Sequence, residues 1–170
     1  MTPRRHRLVV VAPCTVEVVR RAGGWLFDRV MAGCDVTVHV TDHADSRPLQ
    51  ILGAQVVDLA RTLAAGWRAP FPHTLAVDGD LLSVDERVRL LVREATTRSQ
   101  TEVRLWGDAC CPADLEREAS AVCHRLSVAA RAFKAQALVA ADAPTELVDL
   151  TEAFRSRLPA VTDTLDPVPV

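Results

Sequence analysis

The chain has 170 residues, 49% apolar and 25% charged, which is the size of one domain and enough to bury roughly two thirds of its unfolded surface in a single core. A formal charge of −2 gives no electrostatic case for nucleic acid or an anionic membrane surface, and the one basic run, Arg4-Arg5-His6-Arg7, reads as a solvated segment. No stretch approaches the ~20 apolar residues of a membrane span, and no apolar leader with a small-residue cleavage site stands at the start, so a cytoplasmic protein is expected.

Leu8 to Ala12 is a continuous apolar run closed by Pro13, as expected of a strand covered on both faces of a parallel sheet. From Thr15, an expected N-cap, Val19, Ala22, Leu26 and Val30 recur at spacings of three and four and mark one face of a helix ending near Gly33. Val36 to Val40 follows as a second strand, completing a right-handed βαβ unit. Pro48 to Gly53 predicts a short helical turn and Ala54 to Leu59 a third strand.

Arg61 to Leu82, with Gly66, Pro70, Pro72 and Gly79, has no clear period and is expected to be a surface loop. Trp67, Phe71 and His73 within it read either as an exposed interaction patch or as a flap over the core. Ser83-Val84-Asp85-Glu86 matches a capping box for a helix to about Thr97, and Glu102 to Trp106 predicts a fourth strand. After Pro112 a helical stripe runs from Leu115 almost to Asp142, divided at Ser127; a last helix is expected over Glu146 to Leu158, then an extended tail over 159–170. The fold class is therefore α/β: one three-layer, Rossmann-like domain over residues 1–170, with a mostly parallel sheet in strand order about 3-2-1-4.

In such a sheet the strand order reverses beside strand one, and ligands bind there, beyond the carboxyl ends of the strands. The loops expected to flank the crevice are Pro13 to Glu17 and Gly107 to Asp114, both rich in thiols and carboxylates. The five cysteines, Cys14, Cys34, Cys110, Cys111 and Cys123, have no disulfide-framework spacing and read as free thiols or ligands. The adjacent pair Cys110 and Cys111 would bridge only with strain.

Cys14 admits three chemistries. A nucleophilic thiolate would be stabilised at the start of a helix, and Cys14 to Arg20 has the C-x5-R spacing of thiol phosphatases. However, Thr15, Val16, Val18 and Val19 are β-branched and Glu17 is anionic, a poor phosphate cradle. A dinucleotide loop is disfavoured because Gly23-Gly24 lies inside the helix pattern. A metal is the third: Cys14 and Glu17 at i, i+3 on one side, with Cys111 and Asp114 at the same spacing opposite, form a thiolate and carboxylate set suited to zinc.

At these residues the chain resembles the PIG-L or LmbE-like N-deacetylases, whose signature is A-P-H-P-D-D-E-x-x-x-G-G after the first strand and T-D after the second. The corresponding residues are Ala12-Pro13-Cys14-Thr15-Val16-Glu17-Val18, Ala22-Gly23-Gly24 and Thr41-Asp42, with Cys111-Pro112-Ala113-Asp114 resembling the family's H-P-D-H segment and Lys134 to Leu138 its K-x-x-A-L. The resemblance implies a zinc-dependent hydrolase of acetylated amines. It places metal ligands on Cys14, Glu17 and Asp114 and the general base on Val16, which cannot accept a proton. Three anionic ligands would also quench the ion's charge and leave its water less acidic.

A non-catalytic descendant of the scaffold therefore ranks ahead of a remodelled zinc hydrolase, with Cys14, Thr15, Asp42 and Asp108 as ligand-binding residues and no catalytic residue assigned. A protein-interaction subunit is the further alternative. The sequence names no partner: a small molecule, another protein and a second copy of the chain are all compatible with it.

Overall fold

The computed structural model describes residues 5–68, 70–98, 100–108, 113–145 and 148–159, with Arg98 and Asp114 described by their backbone alone. Seven strands form one sheet in the order β3-β2-β1-β4-β5-β7-β6. β1 (Arg7–Cys14) lies between β2 (Asp35–Asp42) and β4 (Thr74–Asp78), and β3 (Gln55–Asp58) and β5 (Glu102–Trp106) extend the parallel part outward. β7 (Thr151–Arg157) runs antiparallel to β5 and to β6 (Ser120–Arg125), which forms the edge.

The two periods read from the sequence place the layers. Along β1, Leu8, Val10 and Ala12 point to one face and Val9 and Val11 to the other. The first face packs against α1 (Thr15–Met31), α2 (Arg47–Ile51) and α7 (Val128–Ala140) through Val18, Val19, Trp25, Leu26, Leu49, Ala130 and Ala137. The second packs against α3 (Leu59–Ala65), α4 (Gly79–Val84), α5 (Glu86–Arg98) and α6 (Ala113–Glu118) through Leu59, Leu82, Val88, Leu91, Val92 and Leu115. This is the expected three-layer α/β domain. No helix among the described residues is long and apolar enough to cross a membrane.

Several expectations are corrected. The segment 61–82 holds the end of α3, the whole of β4 and most of α4. Thr74 to Asp78 is buried throughout between β1 and β5, so a five-residue strand sits within a Pro- and Gly-punctuated stretch. The order 3-2-1-4 holds, but fourth place belongs to Thr74–Asp78; Glu102–Trp106 lies one position further out.

Trp67 and Phe71 pack against the second core and His73 stacks on His6, 4.7 Å between ring centroids, so the aromatics act as a flap. Ser120–Arg125 and Thr151–Arg157 are strands rather than helix. In the latter, Glu152, Phe154 and Ser156 alternate inward with period two. Ser127 does divide the preceding segment, capping α7 with its hydroxyl on the Ala130 N–H at 3.0 Å. Asp85, not Ser83, caps α5, accepting the N–H of its second residue, Arg87, at 2.9 Å. All but the first residue of the tail 159–170 lies outside the described residues.

The Gly23-Gly24 pair has a packing role. A Cβ on Gly24 would fall 2.1 Å from Cδ2 of Leu126, so α1 meets the β6–α7 connection at a distance only glycine permits. Beside it, Glu152 of β7 accepts the N–H groups of Gly24 at 2.9 Å and Trp25 at 2.8 Å. Lys134 of α7 completes the arrangement, its Nζ 2.7 Å from Glu152 Oε1 and 2.7 Å from the Arg20 carbonyl oxygen. The single lysine of the chain is thus one half of a buried ion pair joining α1, α7 and β7, the lysine and glutamate side chains 5% and 3% exposed.

Candidate functional site

The order reversal lies between β1 and β4, so the crevice is framed by the starts of α1 and α4 rather than by α1 and the loop after β5 alone. Three strands end in an aspartate there: Asp42 on β2, Asp58 on β3 and Asp78 on β4. Asp58 and Asp78 cap the helices that follow, accepting the N–H groups of Ala60 and Leu81, each at 2.9 Å. α1 differs: its cap residue is Cys14, which makes no side-chain capping bond. Thr15, the expected cap, is instead the first helical residue. The first free N–H groups of α1 therefore have no side-chain acceptor from the cap.

Around this end the structure brings Cys14, Thr15 and Asp42 together. Cys14 and Asp42 are register partners across β1 and β2. With Val16, Asp45, Pro48 and Ala141 they line a cavity of about 180 Å³. Thr15 is 7% exposed, and its Oγ1 is buried with no hydrogen-bond partner among the described residues. A hydroxyl left unpaired in this way carries a desolvation penalty that a ligand would relieve. Asp42 and Asp45 each accept one backbone N–H with Oδ1, from Ala44 at 3.2 Å and Arg47 at 3.0 Å, which fixes both carboxylates at the rim.

Glu17 and Asp108 belong to the other side of α1. Arg21, one turn beyond Glu17, bonds its carboxylate at 3.0 Å and reaches Asp108 Oδ2 at 3.8 Å. Asp108 is 95% exposed and lines no part of the Cys14 cavity. The hydrogen bond that Arg21 donates to Glu17, and the charges of Glu17, Asp108 and Asp78, hold its guanidinium firmly in the charged form. Asp78, 2% exposed, receives Trp106 Nε1–H at 3.0 Å on Oδ2. Burial raises its carboxyl above the usual aspartate range, and the charges of Asp80 and Glu17 push it the same way. Gly107, at φ +99°, leads the chain past the backbone of Gly79 beside this carboxylate.

Asp78 is a residue that sequence reading missed, because its strand was missed. The signal was present: Val77-Asp78-Gly79 repeats the Val57-Asp58 pattern of a strand closing on a helix-capping aspartate.

The zinc site that the sequence resemblance implies is not assembled among the described residues. Cys14 and Glu17 both lie at the start of α1, but the Glu17 carboxylate is committed to Arg21, whose fixed positive charge opposes a second cation beside it. Among the described residues no group of three or more His, Cys, Asp or Glu side chains is arranged to hold a metal ion. The Asp114 side chain and Cys110 and Cys111 lie outside the described residues.

No protein-family model matches the chain and no curated protein matches its sequence. Solved structures do match. The teicoplanin-pathway deacetylase Orf2, as a triple mutant, superimposes with a TM-score of 0.61 at 14% identity over 92% of this chain and 100% of that one. The A40926 pseudoaglycone deacetylase Dbv21 gives 0.55 at 16% identity over 81% of each chain. GalB, the 4-carboxy-2-hydroxymuconate hydratase of Pseudomonas putida KT2440, gives 0.55 at 14% identity over 94% and 99%. The chain thus has the fold of these deacetylases and of the hydratase, in agreement with the resemblance drawn from its motifs.

Proposed function

We propose that this chain is a non-catalytic binding protein built on a deacetylase-like scaffold, taking a small polar molecule into the cavity at Cys14, Thr15 and Asp42. The observation that carries the reading is the buried, unpaired Thr15 hydroxyl beside the uncapped start of α1. These groups offer hydrogen bonds to a ligand acceptor, while Asp42 and Asp45 at the rim favour a donor or cation at the other end. The volume is below the roughly 300 Å³ at which drug-sized ligands begin to fit, so the ligand is small.

Hydrolysis is disfavoured by the same residues. Val16 stands where the resemblance puts a general base, and Glu17 is held by Arg21 rather than left open to a metal. The deciding experiment is elemental analysis of the purified protein and of Cys14→Ala and Asp114→Ala. Less than about a tenth of an equivalent of zinc in all three is expected, alongside a thermal shift with small polar ligands in wild type that Thr15→Val removes. One zinc per chain, lost in both variants, would overturn this reading and return the chain to the metal-dependent amide hydrolases.

A further inference from the structure

We propose that a second cavity, on the opposite side of the sheet from Cys14 and Asp42, binds a small organic carboxylate with an apolar body. The cavity has a volume of about 200 Å³ and lies among α4, α5, α6 and the end of β7. Its floor is hydrocarbon: Leu82, Val92 and Leu115, all buried members of the second core. Its rim is cationic, with Arg89, Arg93 and Arg157 facing one carboxylate, Glu118.

The three guanidinium groups are not equivalent. Arg157 is matched by Glu118, with Nη2 2.5 Å and Nε 2.6 Å from Oε2. Arg89 is held in place by one bond, Nη1 to the Ser83 carbonyl oxygen at 2.7 Å, leaving its remaining N–H groups unassigned. The Arg93 guanidinium makes no hydrogen bond or ion pair among the described residues. Two positive charges therefore remain over an apolar floor without a counter-charge among the described residues.

A planar carboxylate meets the guanidinium fork with two parallel hydrogen bonds, and an attached hydrocarbon would cover Leu82, Val92 and Leu115. A bare phosphate would satisfy the rim and leave the floor wet. The Thr96 and Thr97 hydroxyls both donate to the Arg93 carbonyl oxygen, at 2.9 and 2.8 Å. With their protons so used, these hydroxyls have no donor left for an anion and leave its recognition to the arginines.

The test uses the full chain with hexanoate, hexanamide and inorganic phosphate as probes, followed by amide chemical shifts in wild type and Arg93→Ala. Hexanoate should shift the Thr96, Thr97 and Leu115 signals, bind more weakly as salt is raised, and bind roughly tenfold more weakly in Arg93→Ala, the effect of losing a charge-assisted hydrogen bond. The Arg93 side chain has no hydrogen-bond or ion-pair partner among the described residues, so an unchanged melting temperature serves as the folding control. Hexanamide binding as tightly as hexanoate, phosphate binding as tightly as hexanoate, shifts centred on Cys14 and Asp42, or no saturable binding would each overturn the proposal.

Discussion

Replacing Lys134 by Met is the sharpest test of how the first layer is held to the sheet. At 2.7 Å, and an effective dielectric of about 20, the Lys134–Glu152 attraction is ~6 kcal/mol, which the removal of two ions from water largely offsets. The intact pair thus contributes little net stability. Removing one partner is another matter: Glu152 loses its counter-ion among Gly24, Trp25 and the helix interior and keeps only the two backbone N–H groups as partners among the described residues. The expected loss is about 3–5 kcal/mol, a large part of the roughly 5–15 kcal/mol that stabilises a domain. Urea unfolding followed by tryptophan fluorescence reads it directly, since the buried Trp25, whose backbone N–H bonds Glu152, becomes exposed on unfolding. With a slope of ~2 kcal/mol per molar urea, the midpoint should fall by about 2 M. Lys134→Met combined with Glu152→Leu should be more stable than Lys134→Met alone, because the stranded charge is gone. A single-variant loss below about 1 kcal/mol, or a double-variant loss equal to the sum of the two single losses, would refute the argument.

Three further outcomes are expected. The His39 ring is buried, and burial lowers its pKa to about 4. Its Nδ1 lies 2.9 Å from the Thr62 hydroxyl, which itself donates to the Asp58 carbonyl oxygen, so Nδ1 carries the proton of the neutral ring. The unfolded chain takes up a proton near pH 6.5 and the folded chain only near 4, so stability is complete above 6.5 and falls by up to ~1.4 kcal/mol per pH unit down to about 4. His39→Leu should flatten the urea-midpoint profile in that window, and an unchanged slope would exclude His39 as its source. Gly24→Ala should cost about 1–3 kcal/mol despite alanine's better helix propensity, because its Cβ would overlap Leu126. Adding Leu126→Ala should give a double-variant loss smaller than the sum of the two single losses, since the overlap is then removed. Thr15→Val should leave the ligand-free protein unchanged or raise its stability by about 1 kcal/mol, since it removes a buried unpaired hydroxyl. A loss above 1 kcal/mol would mean that Thr15 has a structural partner.

The β1–α1–β2 unit could be read from the sequence because its apolar period and its burial coincide: Val10 and Val38 are fully buried, and α1 turns Val19, Ala22 and Leu26 to the sheet. β7 could not be read the same way. Its inward positions are Glu152, Phe154 and Ser156; two are polar and matched within the core, Glu152 by Lys134 and Ser156 by the Glu102 carboxylate at 2.7 Å. Hydrophobicity therefore showed Leu150, Phe154 and Leu158 at helical spacing, while the true alternation lay in hydrogen bonding. β4 was hidden by its brevity and by the prolines and glycines around it, and with it went Asp78. Cys14, Thr15 and Asp42 could be placed beside one another from the sequence because they stand at the ends of the two strands with the clearest pattern. The pairing of Glu17 with Arg21 was legible as an i, i+4 step in the sequence.

The position of β7 also sets an order of assembly. β6 has no sheet neighbour except β7, and β7 is the last strand of the described chain, inserted between β5 and β6. While the chain is being synthesised, β5 consequently keeps an unpaired flank and Ser120–Arg125 has nothing to pair with until residues 151–157 emerge from the ribosome. A nascent chain stalled between these points exposes the kind of open strand edge that recruits other chains, so the interval before β7 docks is when this protein most needs a chaperone.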